Sequence, residues 1–362
     1  MTLTANQISA RIDSWVRPHI RSLKPYASAR DEFQGTAHVF LDANENPLGS
    51  ATEKQVNRYP DPLQRAVKAQ LAPIKGVRPE QIFLGNGSDE PIDLLFRCFC
   101  EPGKDVVMLV PPTYGMYQVS ADINQVETIQ VPLTLDYQLD LESMQDAMQA
   151  HVKGIFLCSP NNPTGNALSK EDMIEVLEMA PGWVVVDEAY IDFDPDNTML
   201  GLLDDYPNLI VLQTFSKAWG MAGLRLGMAF AHPEIVQVLN KVKPPYNINA
   251  VTQEMALEAL SQVDKKDEMV RQIIEERDRM ALELSEWNAV DDIFPSQANF
   301  LLIKVPDAAK RYQELIEQSV VVRNRSKVLL CDNCLRITIG TKAENRQFLQ
   351  TFAQILETPH NV

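Results

Sequence analysis

The sequence has no long apolar segment, few cysteines and a deficit of positive charge. A membrane-spanning helix needs about 20 consecutive apolar residues, and the 362-residue sequence contains no stretch that approaches this length. The first residues lack the basic region and apolar core of a signal peptide. We therefore expect a cytoplasmic protein with no membrane partner.

The charge balance argues against one class of partner. Lysine and arginine number 33 against 49 aspartates and glutamates, which gives a net charge of −16. Nucleic acid binds clustered cations that neutralise its phosphates, so it is not an expected partner. A small anionic substrate remains compatible, because a few buried arginines can dominate the potential of one pocket.

The five cysteines give only a weak signal for metal. Cys331 and Cys334 are separated by two residues, as in many zinc sites, and Cys98 and Cys100 could supply a second pair. No histidine flanks either pair, and Cys98 and Cys100 lie in an apolar, helix-like run. We expect no metal site, and the odd number argues against a disulfide framework.

Short continuous apolar runs alternate with helical patterns through the middle of the chain. Such runs indicate strands that are buried on both faces. They predict an α/β fold with a mainly parallel seven-stranded sheet. We place its strands at residues 81–84, 105–110, 125–131, 154–158, 183–187, 209–213 and 227–231.

The pattern changes on both sides of this region, which predicts three parts. Residues 1–45 are an N-terminal arm with a helix-like segment at 6–20, and residues 46–250 form the large domain. Residues 251–362 contain an interdomain helix and a smaller α+β domain. The elements predicted there are a long helix over about 250–287, strands at 298–304, 320–323 and 335–340, and helices at 307–318 and 343–356.

Lys217 is the most informative residue, because it directly follows the predicted strand 209–213. Open α/β sheets bind ligands at the carboxyl ends of their strands. A lysine placed there can form a Schiff base with an aldehyde cofactor. The hydroxyls of Thr214 and Ser216, with Arg225 eight residues beyond the lysine, can hold a phosphate on that cofactor.

Two further motifs follow other predicted strands. Residues 85–91 precede an apolar-periodic helix whose first N–H groups can bind phosphate, although such a turn is more often an ordinary strand–helix connection. Asn162 lies between two prolines, where it can donate a hydrogen bond to a cofactor oxygen or simply form a turn.

Asp187 ends a predicted buried strand, and Tyr190 follows three residues later. A buried carboxylate needs a cationic partner, and a protonated pyridine nitrogen is such a partner. Tyr190 can then reach the hydroxyl of the same ring. The plain alternative for Asp187 is a helix N-cap or a surface carboxylate.

In combination, these motifs resemble the fold type I aminotransferases, which use pyridoxal 5′-phosphate, over nearly the whole chain. The resemblance implies that Lys217 carries the cofactor, that Asp187 pairs with its ring nitrogen, and that Asn162 and Tyr190 bind its ring hydroxyl. It also implies that the phosphate is bound by backbone N–H groups of Ser88 and Asp89 with Thr214, Ser216 and Arg225. On the same resemblance, Tyr114 would stack on the ring, and Tyr59 would reach the phosphate from the other subunit of a homodimer.

Residues 43–47, 58–60, 112–115 and 334–338 narrow the resemblance to the histidinol-phosphate aminotransferases. This implies ping-pong exchange of an amino group between L-histidinol phosphate and 2-oxoglutarate, giving imidazole-acetol phosphate and L-glutamate in histidine biosynthesis. Aromatic and aspartate aminotransferases and threonine-phosphate decarboxylase share the fold and would keep every cofactor residue, so they remain alternatives.

The same resemblance assigns the substrate contacts. Tyr26, Arg323 and Arg336 would bind the anionic end of the substrate, and Asn44 would lie near its imidazole. Arginines in apolar strands need an anion or a carboxylate partner, so a structural salt bridge is the alternative for Arg323. Arg325, two residues further on, could share its role.

Two interpretations from other classes are weaker. A ligand-sensing regulator on this fold would have an appended DNA-binding segment or would lack the lysine, and neither is seen in the sequence. A nucleotide-binding Rossmann enzyme would have a third glycine in the turn at residues 85–90, and that glycine is missing.

Overall fold

The computed structural model describes residues 4–26, 37–148 and 152–357. The large sheet has seven strands: β1 (Ile82–Asn86), β2 (Val106–Leu109), β3 (Glu127–Gln130), β4 (Val152–Cys158), β5 (Trp183–Asp187), β6 (Leu209–Thr214) and β7 (Leu226–Ala231). Their order across the sheet is β1-β7-β6-β5-β4-β2-β3. Strand β7 is antiparallel to both of its neighbours, and the other pairings are parallel. The prediction of a mainly parallel seven-stranded sheet is confirmed.

The central strands are mainly apolar because both faces of the sheet are covered. Along β5, Val184 and Val186 pack into one core cluster, whereas Trp183 and Val185 pack into the cluster on the opposite face. Successive side chains of a strand point to opposite faces, so a strand covered on both sides needs an apolar residue at every position. The carboxylate of Asp187 at the end of this strand is therefore an exception that calls for a reason.

Helices cover both faces of the sheet and connect its strands. They are Arg65–Lys75, Asp89–Phe99, Met116–Ile123, Leu141–Ala147, Lys170–Met179, Pro233–Val242 and Ala250–Leu260, with short 3₁₀ turns at Pro79–Gln81, Ile191–Phe193, Pro195–Asn197, Leu200–Leu202 and Ala222–Leu224. Within the described ranges, no helix combines the length and the apolar content needed to cross a bilayer.

Two helices predicted as continuous are broken, so those predictions are wrong. The arm forms Ala5–Trp15 and Pro18–Ser22, because Val16 is extended and Pro18 starts a new helix, where its missing N–H is not needed. The second predicted helix is Ala250–Leu260 followed by Val263–Ser285. At this break the hydroxyl of Ser261 donates to the carbonyl of Glu258 at 2.6 Å, which satisfies one of the carbonyls left free at a helix end.

The C-terminal part carries a second sheet of four antiparallel strands: β8 (Asp292–Ile293), β9 (Phe300–Lys304), β10 (Arg323–Asn324) and β11 (Cys334–Thr338), in the order β10-β11-β9-β8. The same part of the chain contains three helices: Val263–Ser285, Ala308–Glu317 and Lys342–Glu357. The predicted strand 320–323 is wrong in extent, since only its last residue is paired and Val321 is exposed. Strand β8 was not predicted, because two residues carry no periodic signal.

Candidate active site

A pocket of about 540 Å³ lies at the carboxyl edge of the large sheet. The loops after β1, β2, β4, β5 and β6 reach it, and β7 begins there because it runs in the opposite direction. The fold therefore brings together motifs that are far apart in the sequence. The predicted cofactor residues that line the pocket are Ser88, Asp89, Tyr114, Asn162, Asp187, Tyr190, Thr214, Ser216, Lys217 and Arg225.

Asp187 is a buried carboxylate in this pocket, with only 2% of its surface exposed. Its Oδ2 accepts a hydrogen bond from the hydroxyl of Tyr117 at 2.7 Å, and its Oδ1 accepts one from the backbone N–H of Ala189 at 3.1 Å. Burial raises its pKa to about 6, and the hydrogen bond from Tyr117 opposes this rise. Asp187 forms no ion pair with any residue that the structure describes, so its charge lacks a partner.

Tyr117 is a site residue that was not singled out in the sequence. It lies in the helix Met116–Ile123, is fully buried and stacks on Phe156 with ring centroids 4.6 Å apart. An aromatic residue at such a position ordinarily belongs to the core, and its packing agrees with that. Its hydroxyl, however, needs a polar partner when buried, and that partner is Asp187.

The phosphate end of the predicted site combines a helix start with hydroxyls and a cation. The helix Asp89–Phe99 begins after Ser88, whose side chain makes no capping hydrogen bond, so the first N–H groups remain open to an anion. The hydroxyl of Thr214 donates to that of Ser216 at 3.0 Å. Arg225 pairs with the carboxylate of Asp89 at 3.2 Å, which holds its guanidinium beside the helix start.

Gly227 allows β7 to pass very close to this turn. A Cβ at position 227 would lie 2.3 Å from the backbone N of Ser88 and 2.3 Å from the backbone C of Gly87. The N–H of Gly87 also donates to the carbonyl of Arg225 at 2.7 Å, at a φ of +67° that suits glycine. Both glycines are therefore needed for the contact that brings Arg225 to the helix start.

Lys217 is half-buried in the same pocket and makes no ion pair with a described residue. Its Nζ lies 5.4 Å from the ring centroid of Tyr190. Burial, followed by the positive charge of Arg336, lowers the pKa of Lys217. A lysine in this state has a larger neutral fraction near pH 7 than an exposed one, which a nucleophile or a base requires.

The part of the pocket that is predicted to bind the substrate is rich in arginine. Arg323 and Arg336 line it as predicted, and Arg325 lines it too. Arg336 donates a hydrogen bond to Oδ1 of Asn162, which leaves the NH₂ group of that asparagine as a donor. No carboxylate in the described ranges forms an ion pair with Arg323, so the alternative of a structural salt bridge finds no support there.

Three predicted residues do not line this pocket within the single chain. Tyr59 stacks on Tyr246 with ring centroids 4.4 Å apart, and it lines a second pocket of about 580 Å³ together with Asn44. Tyr26 is 75% exposed. The structure thus places the other predicted cofactor residues together and leaves these three on other surfaces of the chain.

The cysteines take no part in either pocket apart from Cys158, which lines the first. All five are buried and free, and burial raises the pKa of Cys331 to about 11 and that of Cys98 to about 12. In the part of the chain that the structure describes, no three side chains of the metal-binding types are grouped to hold an ion.

The pocket fits pyridoxal phosphate in its chemistry. It offers a buried carboxylate with no counterion among the described residues for the ring nitrogen, a half-buried amine for the aldehyde, and a helix start with hydroxyls and a guanidinium for the phosphate. This set of groups on this sheet defines an enzyme of the fold type I aminotransferase class.

Comparisons with known proteins agree with this class. A family model described as Aminotransferase class I and II matches residues 29–352, and members of that family depend on pyridoxal phosphate. A histidinol-phosphate aminotransferase from Cytophaga hutchinsonii is 58% identical over 93% of this chain and 97% of its own length. Within the class I and II aminotransferases, the chain belongs to the histidinol-phosphate aminotransferase family.

Solved structures give the same fold. The histidinol-phosphate aminotransferase from Clostridium acetobutylicum is 25% identical, with a TM-score of 0.78 over 83% of this chain and 91% of its own. The enzyme of the same name from Sinorhizobium meliloti, solved in complex with pyridoxal-5′-phosphate, has a TM-score of 0.76 over 87% of this chain and 89% of its own, at 23% identity.

Proposed function

We propose that this protein is a pyridoxal-phosphate-dependent transaminase that exchanges an amino group between L-histidinol phosphate and 2-oxoglutarate in histidine biosynthesis. The observation that carries the proposal is that the unpaired buried carboxylate of Asp187, the half-buried amine of Lys217 and an arginine cluster share one pocket. We also propose a cytoplasmic location, since five buried free cysteines suit a reducing compartment.

Pyridoxal phosphate, when bound, supplies an aldehyde that condenses with amines and a ring that withdraws electrons from the bond to be broken. Asp187 would keep the ring nitrogen protonated, because an adjacent cation stabilises the ionised form of a buried carboxylate. Tyr117 and the N–H of Ala189 fix the orientation of that carboxylate. Asn162 and Tyr190 would bind the ring hydroxyl, and Tyr114 would cover one face of the ring.

Lys217 would do the proton transfer at the reacting carbon. Its amine is half-buried and its pKa is lowered by burial and by the charge of Arg336, which favours the neutral form that a base needs. Its Nζ would take the proton from the substrate carbon that bears the amino group. Replacing this amine removes both the covalent anchor of the cofactor and the base.

Arg323 and Arg336 would bind the anionic end of both substrates. A guanidinium fork matches a phosphate as well as a carboxylate, so one pair of arginines can serve the two half-reactions in turn. We propose that Tyr26 also binds this anionic end and that Asn44 lies near the imidazole of the substrate.

We propose that the protein acts as a homodimer in which Tyr59 reaches the phosphate in the neighbouring subunit. Tyr59 is half-exposed, and the same part of the chain exposes Leu41 (88%), Leu48 (94%) and Val56 (46%). Large exposed apolar side chains grouped in one region are typical of an interaction surface. Val56 lines the second pocket together with Tyr59, which supports a contact between this surface and another copy.

The test is a half-reaction of the purified enzyme loaded with pyridoxal phosphate. L-histidinol phosphate alone should convert the visible absorbance of the bound cofactor to that of its amine form, one equivalent per subunit, and 2-oxoglutarate should reverse the change. Phenylalanine, aspartate and threonine phosphate serve as comparison substrates. A faster reaction with one of these, or carbon dioxide release from threonine phosphate, would contradict the proposed substrate.

The variant Lys217→Ala tests the central assignment. Turnover should fall by about 10²–10⁴-fold or more, since a general base contributes that much. Reduction with borohydride followed by mass spectrometry should attach the cofactor to Lys217 in the wild type and leave the variant unlabelled. The control is Lys104→Ala, an exposed lysine before β2 and hence at the opposite sheet edge. Labelling of Lys217→Ala, or substantial residual turnover, would rule out the assignment.

A further inference from the structure

Three arginines share one face of the short antiparallel pair β10–β11. Arg323 lies directly opposite Arg336, and the backbone N–H of Arg325 donates to the carbonyl of Cys334 at 2.9 Å, which continues the pairing by one step. Residues two apart on a strand point to the same side, so Arg325 lies beside Arg323, diagonal to Arg336. All three line the first pocket.

This arrangement is unfavourable without a ligand. Like charges directly opposite each other across two strands destabilise the pair. Burial, followed by the charges of Arg336 and Arg323, lowers the pKa of Arg325 to about 10. The Nε atoms of Arg325 and Arg336 are buried and have no hydrogen-bond partner among the described residues.

Arg271, on the protein surface, has carboxylate partners. Arg271 pairs with Glu268 and Glu275 on the surface of the helix Val263–Ser285. By contrast, none of the three pocket arginines forms an ion pair with a carboxylate in the described parts of the chain. Arg323 is exposed to solvent, but Arg325 and Arg336 are partly buried and their Nε atoms have no hydrogen-bond partner among the described residues. Buried polar groups of a native protein are nearly always satisfied, so these two guanidiniums indicate that an external anion binds beside them.

We propose that Arg325 is a specificity residue that favours the phosphate-bearing substrate over the carboxylate-bearing one. This rests on the proposed function. A carboxylate has one charge and two oxygens in a plane, which a single guanidinium fork satisfies. A phosphate monoester carries a charge of about −1.5 to −2 near pH 7 and three acceptor oxygens. A third guanidinium therefore adds more to phosphate binding than to carboxylate binding.

The experiment compares the two half-reactions in the holoenzyme of Arg325→Gln. The second-order rate constant with L-histidinol phosphate should fall about 10- to 100-fold, the loss expected for a charge-assisted hydrogen bond. The constant with L-glutamate should fall less than about threefold, since the other two forks remain for its carboxylates. Arg325→Lys should recover part of the loss, because it restores the charge without the fork.

Arg271→Gln is the matched control and should leave both constants unchanged, because its carboxylate partners lie on the helix surface. The unfolding midpoint of Arg325→Gln should stay the same or rise, since the substitution removes a like charge. A lower midpoint with equal losses for both substrates would show a structural role and overturn the inference. Unchanged rates with histidinol phosphate would overturn it as well.

Inorganic phosphate separates this inference from the proposed function. It should inhibit the wild type in competition with glutamate, and its inhibition constant should rise at least about tenfold in Arg325→Gln. If the wild type does not react with histidinol phosphate but the inhibition constant of inorganic phosphate rises in Arg325→Gln, the proposed substrate is wrong and the role of Arg325 in phosphate recognition is supported. If inhibition by inorganic phosphate does not depend on Arg325, the inference fails even where the enzyme accepts histidinol phosphate.

Discussion

Replacing Asp187 by asparagine should change how the stability of the cofactor-free protein depends on pH. Asp187 is 2% exposed and forms no ion pair with a described residue. Its pKa is raised from the ordinary value of 3.8 to about 6. Between these two values the folded protein keeps a proton that the unfolded chain has released. Stability from this group is therefore present at low pH and is lost as the pH rises to about 6.

The magnitude follows from the same two values. A pKa that rises from 3.8 to about 6 corresponds to about 3 kcal/mol at a pH above both. Asparagine is neutral at every pH and removes this penalty. It also places an amide where Ala189 donates its N–H, and a lost hydrogen bond of this kind costs about 1–3 kcal/mol. We expect the free energy of unfolding of Asp187→Asn to be lower than that of the wild type near pH 4.5. At pH 8 it should equal that of the wild type or exceed it by up to about 2 kcal/mol.

The assay is urea unfolding of both proteins without cofactor, at one protein concentration, from pH 4.5 to 8. Asp196→Asn is the control, because Asp196 is exposed on the connection that follows β5. A difference between wild type and Asp187→Asn that does not vary with pH would refute the reasoning, since Asp187 would then have no raised pKa. In a second measurement, the variant should bind pyridoxal phosphate more weakly, because the ring nitrogen loses its anionic partner.

Two further predictions concern the phosphate end and the dimer. Gly227→Ala should lower the free energy of unfolding by about 1–3 kcal/mol and weaken pyridoxal phosphate binding, since its Cβ would overlap the turn before Ser88. The control is Gly201→Ala, which has open space around its Cβ. Equal unfolding midpoints for the two variants would contradict the packing argument. Mixing the weak variant Tyr59→Ala with the inactive variant Lys217→Ala should restore activity, because one active site of the mixed dimer would contain both Tyr59 and Lys217. A mixture that is no more active than the two separate variants would exclude a site shared between subunits.

The strands of the large sheet could be predicted because both of its faces are covered. In β5, Trp183 to Val186 are consecutive buried apolar residues, and such continuous runs are typical of strands that are buried on both faces. The helix breaks could not be predicted in the same way. The break at Ser261 depends on one backbone turn inside a segment that is helical on both sides, and helical periodicity continues across it.

The grouping of the predicted cofactor residues at one sheet edge could be predicted because each motif directly follows a strand. Sequence order then places Asp187 and Lys217 at one edge of a parallel sheet. Tyr117 could not be found in this way, since a buried aromatic residue in a helix is ordinary core and only the tertiary contact shows its hydroxyl on Asp187. The proposed role of Tyr59 requires a second copy of the chain, and the geometry of one subunit does not contain that contact.

The reversed direction of β7 limits where the chain can be cut or lengthened. Because β6 and β7 are antiparallel neighbours, the connection from Phe215 to Arg225 is short and closed by the hydrogen bond from Phe215 N–H to Leu226 O at 3.0 Å. Lys217 and Arg225 are thus carried on one hairpin, whereas parallel strands would separate them by a crossover helix. New termini or inserted domains belong in the connections at the opposite sheet edge, such as the one before β2, where they leave this hairpin whole.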